Sequence, residues 1–100
     1  MKDIVSRLNK AFESRLRLGI MSALIVNEKL DFTELRELLG TTDGNLSSHL
    51  SALEKEGYIK VYKKFIARKP KTSYAATEKG KTAFRNHLDL LEQLIDKQAK

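Results

Sequence analysis

Imidazole chemistry, at a metal or as a base, would have to start from His49 and His87, the only two histidines, and the chain has no cysteine. A thiolate nucleophile, a disulfide framework and a cysteine-type zinc site are excluded, and a histidine cage is poorly supplied. The carboxylates add little: Glu34 and Glu37 stand one helical turn apart, and they and the Glu54/Glu56 pair read as solvent-facing helix charges. An acid–base catalyst needs a convergent set of such groups, and a nucleotide enzyme needs a glycine-rich phosphate loop; neither pattern is present. No enzymatic activity and no cofactor are expected. The chemistry these residues do support is anion binding. Lys60, Lys63, Lys64, Arg68, Lys69 and Lys71 place six positive charges in a stretch with no acidic residue between Glu56 and Glu78, while the rest of the chain carries thirteen charges of each sign. The net charge of +6 therefore sits in one segment. On its own that segment is either a solvated lysine-rich loop or an anion-binding surface.

The elements that must hold this segment can be read from hydrophobic spacing. Ile4, Val5, Leu8, Ala11 and Phe12 predict an amphipathic helix over 3–12. Leu16, Ile20, Met21, Leu24 and Ile25 continue the period as a second helix or an extension over 14–27, ending at Asn27. Leu30-Asp31-Phe32 is a short extended piece. Thr33 is then placed to cap a two-turn helix whose Leu35, Leu38 and Leu39 face inward and whose Gly40 supplies a left-handed end. Within Thr41-Thr42-Asp43-Gly44-Asn45 a hydroxyl can cap the next helix, which carries Leu46, Leu50 and Leu53 on one face and stops at Gly57. Ile59, Val61, Lys63 and Phe65 alternate with Lys60, Tyr62 and Lys64 in strand fashion. Residues 66–71, with the only proline at Pro70, are expected to turn, and Thr72, Tyr74 and Ala76 complete a hairpin. Thr77 caps a last helix with a stripe of Phe84, Leu88, Leu91 and Ile95, widened by Leu90 and Leu94.

Two short helices joined by a tight turn and followed directly by a basic hairpin make a helix-turn-helix with a wing. In this order, over roughly Arg15 to Phe84, the chain resembles winged-helix transcriptional regulators of the MarR and ArsR type. The residues that carry the resemblance are Arg15-Leu16-Arg17-Leu18-Gly19-Ile20-Met21, then Phe32-Thr33-Glu34-Leu35, then Leu46-Ser47-Ser48-His49-Leu50 with Leu53 and Gly57-Tyr58-Ile59, and after the wing Thr77-Glu78-Lys79-Gly80. The resemblance implies a mainly α fold with a small β-hairpin wing, in the order α-α-(β)-α-α-β-β-α, and a role in transcription, with repression by occupancy as the simplest mode. The chain departs from metal-sensing ArsR relatives in lacking cysteine, and it is shorter than most MarR relatives; whether an effector binds is left open.

The residues point the same way without the name. With Leu46, Leu50 and Leu53 inward, a pitch of about 100° per residue turns Gly44, Ser48, Ser51 and Lys55 outward, with Asn45, Ser47 and Ala52 on the flanks. Small residues with donors and acceptors are what a helix entering a major groove requires. Thr42, Asp43, Gly44, Asn45, Ser47, Ser48, His49 and Ser51 are thus the expected DNA-reading set: Asn45 suits adenine, and Ser47 and Ser48 suit bases or phosphates. Asp43 suits either a cytosine amino group or the positive end of its own helix, His49 either DNA or the core boundary, and Gly44 either DNA or the turn. In the wing, Arg68 and Lys69 suit a narrow minor groove, and Lys63, Lys64 and Lys71 suit flanking phosphates.

One hundred residues bound the chain to a single domain over 1–100. No apolar run approaches the ~20 residues of a membrane span, and Met1-Lys2-Asp3 leads into charges instead of a signal-like stretch, so a cytoplasmic location and no membrane partner are expected. The expected partners are double-stranded DNA and a second copy of the chain. Helices over 1–13 and 78–98 exceed what the motif and wing need, and Ile4, Leu8, Phe12, Phe84, Leu88, Leu91, Leu94 and Ile95 are the expected dimer interface. An RNA-binding or a protein-interaction winged helix is the alternative; the former would display stacking aromatics, for which the hairpin offers only Tyr62, Phe65 and Tyr74.

Overall fold

The structure, a computed structural model, describes residues 1–98. The segment expected to form one helix over 3–12 is two pieces: helix α1 (Lys2–Arg7) and a single 3-10 turn, Lys10–Phe12. Asn9 breaks it. Its side-chain oxygen accepts from the Ala11 amide at 2.9 Å, its side-chain nitrogen donates to the Tyr58 hydroxyl at 2.8 Å, and its backbone N–H donates to His87 Nδ1 at 3.2 Å. A short polar side chain that bonds its neighbouring backbone competes with the helix.

Helix α2 (Arg15–Val26) starts at Ser14, whose hydroxyl accepts from the Arg17 amide, and buries Ile20, Met21, Ala23 and Leu24. Strand β1 (Leu30–Asp31) leads directly into α3 (Phe32–Leu39). Asp31, and not Thr33, caps that helix: its carboxylate accepts from the Glu34 amide while Glu34 reaches back to the Asp31 amide. Asp31 is still extended, so its side chain meets the orphan amides of the first turn, a reciprocal arrangement Thr33 cannot make from inside the helix. Gly40 ends α3 in the left-handed region, at φ 60°. Leu35 is buried and Leu39 half-buried, but Leu38, expected inward, is exposed, since nothing covers that flank of so short a helix.

Helix α4 (Asp43–Lys55) is capped by Thr42 and buries Leu46, Leu50 and Leu53 as expected. Strands β2 (Ile59–Ile66) and β3 (Lys69–Ala76) pair antiparallel, and β1 adds to the other edge of β3, giving the order β1-β3-β2. The turn is tighter than the six residues expected. Ala67 and Arg68 alone connect the strands, both at positive φ (51° and 67°), the type I′ pattern whose twist suits a hairpin. Neither is glycine, and each non-glycine residue held there costs about 1–2 kcal/mol. Pro70 lies inside β3 opposite Phe65. Next to a two-residue turn the Ile66–Lys69 pair exchanges the hydrogen bonds, so the missing Pro70 N–H faces away from β2 and the strand tolerates it.

Helix α5 (Glu78–Gln98) follows a compact clasp. Thr77 donates its hydroxyl to the Gly57 carbonyl at 2.7 Å and accepts from the Gly80 amide at 3.0 Å, while the Thr77 amide donates to the Tyr58 carbonyl. A Cβ on Gly80 would overlap the Tyr58 backbone, so only glycine lets the two chains approach this closely. On α5 the row that meets the body is Phe84, His87 and Leu90, all buried, with Leu94 half-buried. The expected apolar stripe is therefore rotated, because a histidine occupies one turn of the inner face. Phe12 stands at the centre of the core, its ring centroid 5.4 Å from Tyr58, 5.4 Å from Phe84 and 5.3 Å from His87. Three residues expected at a dimer interface, Ile4, Phe12 and Phe84, are thus buried within the chain itself, and Leu8 is half-buried.

Candidate nucleic-acid interface

Helix α4 presents Asp43, Gly44, Asn45, Ser47, Ser48, Ser51 and Lys55 to solvent, with Thr42 exposed just ahead. The inward pull of Leu46, Leu50 and Leu53 determines this, and among the described residues no hydrogen bond occupies the side chains of Asn45, Ser47, Ser48 or Ser51. Four small polar groups on an exposed helix are free to bond an incoming ligand.

Two of the three residues given two readings by the sequence, Asp43 and His49, have partners within the chain. Asp43 accepts from Arg36 Nη1 at 2.7 Å, an ion pair that joins α3 to α4 across the turn. The same bond raises the Arg36 pKa above its ordinary value. His49 is half-buried, and its Nδ1 accepts from Arg17 Nε at 3.0 Å. That bond holds the Arg17 guanidinium against the middle of α4. Arg17 and Arg36 were missed in the sequence because each is one arginine among many; a carboxylate or imidazole seven and thirty-two residues away singles them out only after folding. Gly44 is helical and open: a Cβ there would touch nothing.

The hairpin runs beyond its pairing with β1, which involves only Tyr74 and Ser73 of β3. Lys63, Lys64, Arg68 and Lys69 are exposed along it. Lys71 differs from the others, because its Nζ lies 3.4 Å from Asp31 Oδ2. The Glu34 amide and Lys71 together lower the Asp31 pKa. Lys71 thus ties the outer half of the hairpin to the cap of α3. Lys29 and Lys60 approach the Tyr62 ring at 4.0 and 5.3 Å, adding two cations on the outer face. Among the described residues no helix is long and apolar enough to cross a membrane.

An exposed polar helix held by a capped turn, beside an antiparallel basic hairpin, defines a winged helix-turn-helix. Residues 16–95 match the model of the winged helix DNA-binding domain family, and the chain belongs to that family. It is 39% identical over 85 residues to an uncharacterized protein of Methanocaldococcus jannaschii, covering 85% of this chain and 92% of the other. Its fold is similar to that of a transcriptional regulator homologue from Pyrococcus horikoshii, with a TM-score of 0.84, 34% identity, and 97% and 94% of the two chains covered. A MarR-family transcriptional regulator from Silicibacter pomeroyi, 13% identical, shares the fold at a TM-score of 0.66, over 97% of this chain and 64% of the other.

Proposed function

We propose that the protein is a sequence-specific, double-stranded DNA-binding transcriptional regulator that acts as a homodimer and represses by occupying its site. The observation that carries the reading is the exposed, unbonded polar face of α4 beside a hairpin with no acidic residue. Asn45, Ser47, Ser48 and Ser51 read base edges in the major groove, Thr42 and Gly44 set the approach of the helix end, and Lys63, Lys64, Arg68 and Lys69 hold phosphates or the minor groove. Asp43 and His49 orient this surface through Arg36 and Arg17, and Lys71 supports the wing. The similarity to transcriptional regulators supports the cellular role.

The dimer reading rests on α5. Leu88, Leu91 and Ile95 are 47%, 37% and 67% exposed. They continue a groove lined by Ile25, Lys81, Phe84, Arg85 and Leu88. The same side of the helix carries Lys81 and Arg85 in its first half and Glu92 and Asp96 in its second. A two-fold, antiparallel pairing of two α5 helices sets Arg85 against Glu92 of the copy and Lys81 against Asp96, while parallel pairing sets like against like. The terminal segments 1–13 and 78–98 are in this reading the dimerisation part of one domain, with α1 packed on α5 as support.

The deciding experiment titrates labelled duplex DNA and RNA of matched sequence at two salt concentrations. Duplex binding that weakens steeply with salt, and is tighter than RNA binding, is expected. Preference for RNA, or no nucleic-acid binding, overturns the reading in favour of an RNA-binding or protein-interaction module.

A further inference from the structure

The tip of the wing joins exposed apolar side chains, for which neither the fold nor phosphate binding accounts, to a type I′ turn built without glycine. Phe65 is 79% exposed and Ile66 52% exposed, in a chain that buries Phe12 and Phe84 and half-buries Phe32. The register sets Phe65 beside Pro70 on one face of the hairpin and Ile66 beside Lys69 on the other. Between them stand Ala67 and Arg68, the only non-glycine residues at positive φ among the described residues. A glycine at either place would relieve the backbone, and among the described residues Arg68 forms no ion pair that repays the strain. Strained backbone and exposed apolar side chains in one tight tip are the marks of a part shaped for something outside the chain.

We infer that the tip, residues 65–70, is a two-sided apolar wedge for the minor groove of duplex DNA, which it opens and bends; this rests on the duplex-binding reading above. Charge selects the occupant. Lys63, Lys64, Arg68 and Lys69 surround the apolar pair and no carboxylate lies between Glu56 and Glu78, so the surface fits a partner that is anionic outside and apolar within. A minor groove has that character, with phosphate rims, sugar walls and stacked bases at its floor. At about 6 Å wide it is too narrow for a hairpin bearing large side chains on both faces. Entry must widen it, and apolar wedges that part base steps kink DNA toward the major groove. Arg68 at the apex reaches the floor, and Phe65 and Ile66 press the two walls. The wing then contributes selectivity of its own, favouring sites with an easily deformed pyrimidine–purine step at the wing position.

The test uses the full chain and a duplex carrying a donor and an acceptor fluorophore at its two ends. Wild-type binding is expected to raise energy transfer. The Phe65→Ala/Ile66→Ala double variant, folded by circular dichroism because both side chains are exposed, is expected to bind within about threefold of wild type with an unchanged salt slope and to lose most of the rise. Phe65→Leu, which keeps an apolar wedge, is expected to restore it. Energy transfer that rises equally with the double variant, or no rise with wild type despite tight binding, overturns the wedge and leaves duplex recognition standing. A double variant that sediments at a lower mass than wild type also overturns it, by making the tip a contact between copies. Failure of wild type to bind any duplex overturns both readings, and the binding titration tells this apart from the other outcomes.

Discussion

Gly44 costs the free protein stability and gains it nothing that the structure shows. A helical glycine in an exposed first turn is worse than alanine by about 0.5–1 kcal/mol, and no neighbour would meet the added Cβ. Gly44→Ala is accordingly expected to stabilise the fold by about that amount while weakening duplex binding by roughly tenfold or more, about 1.4 kcal/mol. Denaturation midpoints and a binding isotherm on one preparation check the two signs together. Asn45→Ala is expected to cost about 1–3 kcal/mol on the preferred site and far less on unrelated duplex. Equal losses on both DNAs would move Asn45 from reading to positioning. His87 makes a third prediction. Burial lowers its pKa below the ordinary 6.5, against a smaller opposing effect of Glu13, and its Nδ1 must stay unprotonated to accept the Asn9 amide. The unfolded chain takes up the proton first, so the contribution of His87 is complete above about pH 6.5 and declines as pH falls through the window beneath it. Thermal midpoints of wild type are expected to drop between pH 7 and 5 more steeply than those of His87→Gln, whose side-chain oxygen can still accept; parallel curves would remove His87 as the cause.

Among the elements, α5 makes the sharpest demand. Arg85→Glu alone is expected to weaken the dimer by setting carboxylate against Glu92 of the copy, and adding Glu92→Arg is expected to restore it, as read by sedimentation at micromolar concentration. A double variant as weak as the single one would exclude the antiparallel pairing. The elements also show where sequence spacing suffices. Leu46, Leu50 and Leu53 face inward as their period requires, Gly40 ends α3 and Thr77 caps α5 as expected, and the basic stretch forms the expected hairpin, though with a shorter turn. Spacing fails where a polar residue takes a structural post. His87 sits on the buried row of α5 and made the outer leucines look like the inner face. Asn9 breaks a segment whose apolar period continues past it, and Asp31 outcompetes Thr33 as a cap because its strand holds it extended. The exposed polar face of α4 was legible because exposure follows from the leucine period alone. The contacts of Asp43, His49 and Lys71 were not, since each partner is brought in by the tertiary fold.

The whole protomer measures 59 × 25 × 21 Å, long for its size, and two elements outrun its core: the wing past Tyr74 and α5 past Leu90. In the proposed reading one places charge toward a polyanion, and the other offers an apolar, charge-segregated face to a copy. If that division holds, Leu91→Glu is expected to give a folded monomer whose affinity for a two-half-site duplex falls to that for a single half-site. In the wild-type dimer, half-sites about one helical turn, roughly 34 Å, apart are expected to bind best. Duplexes in which the half-site separation is stepped by five base pairs check this, because the added half turn puts the second recognition helix on the wrong side of the DNA.

Asp31 bears on the exchange of parts between proteins of this build. It belongs to β1, caps α3, and takes the ammonium of Lys71 in the outer half of the hairpin, so one carboxylate is shared by the reading motif and the hairpin. A wing transplanted from another chain without a cation at the place of Lys71 would leave that carboxylate half-engaged, and a transplanted motif without an acid at 31 would leave Lys71 loose. The cassette that can be swapped intact is therefore not the hairpin, nor the two helices, but the continuous stretch from Leu30 to Ala76.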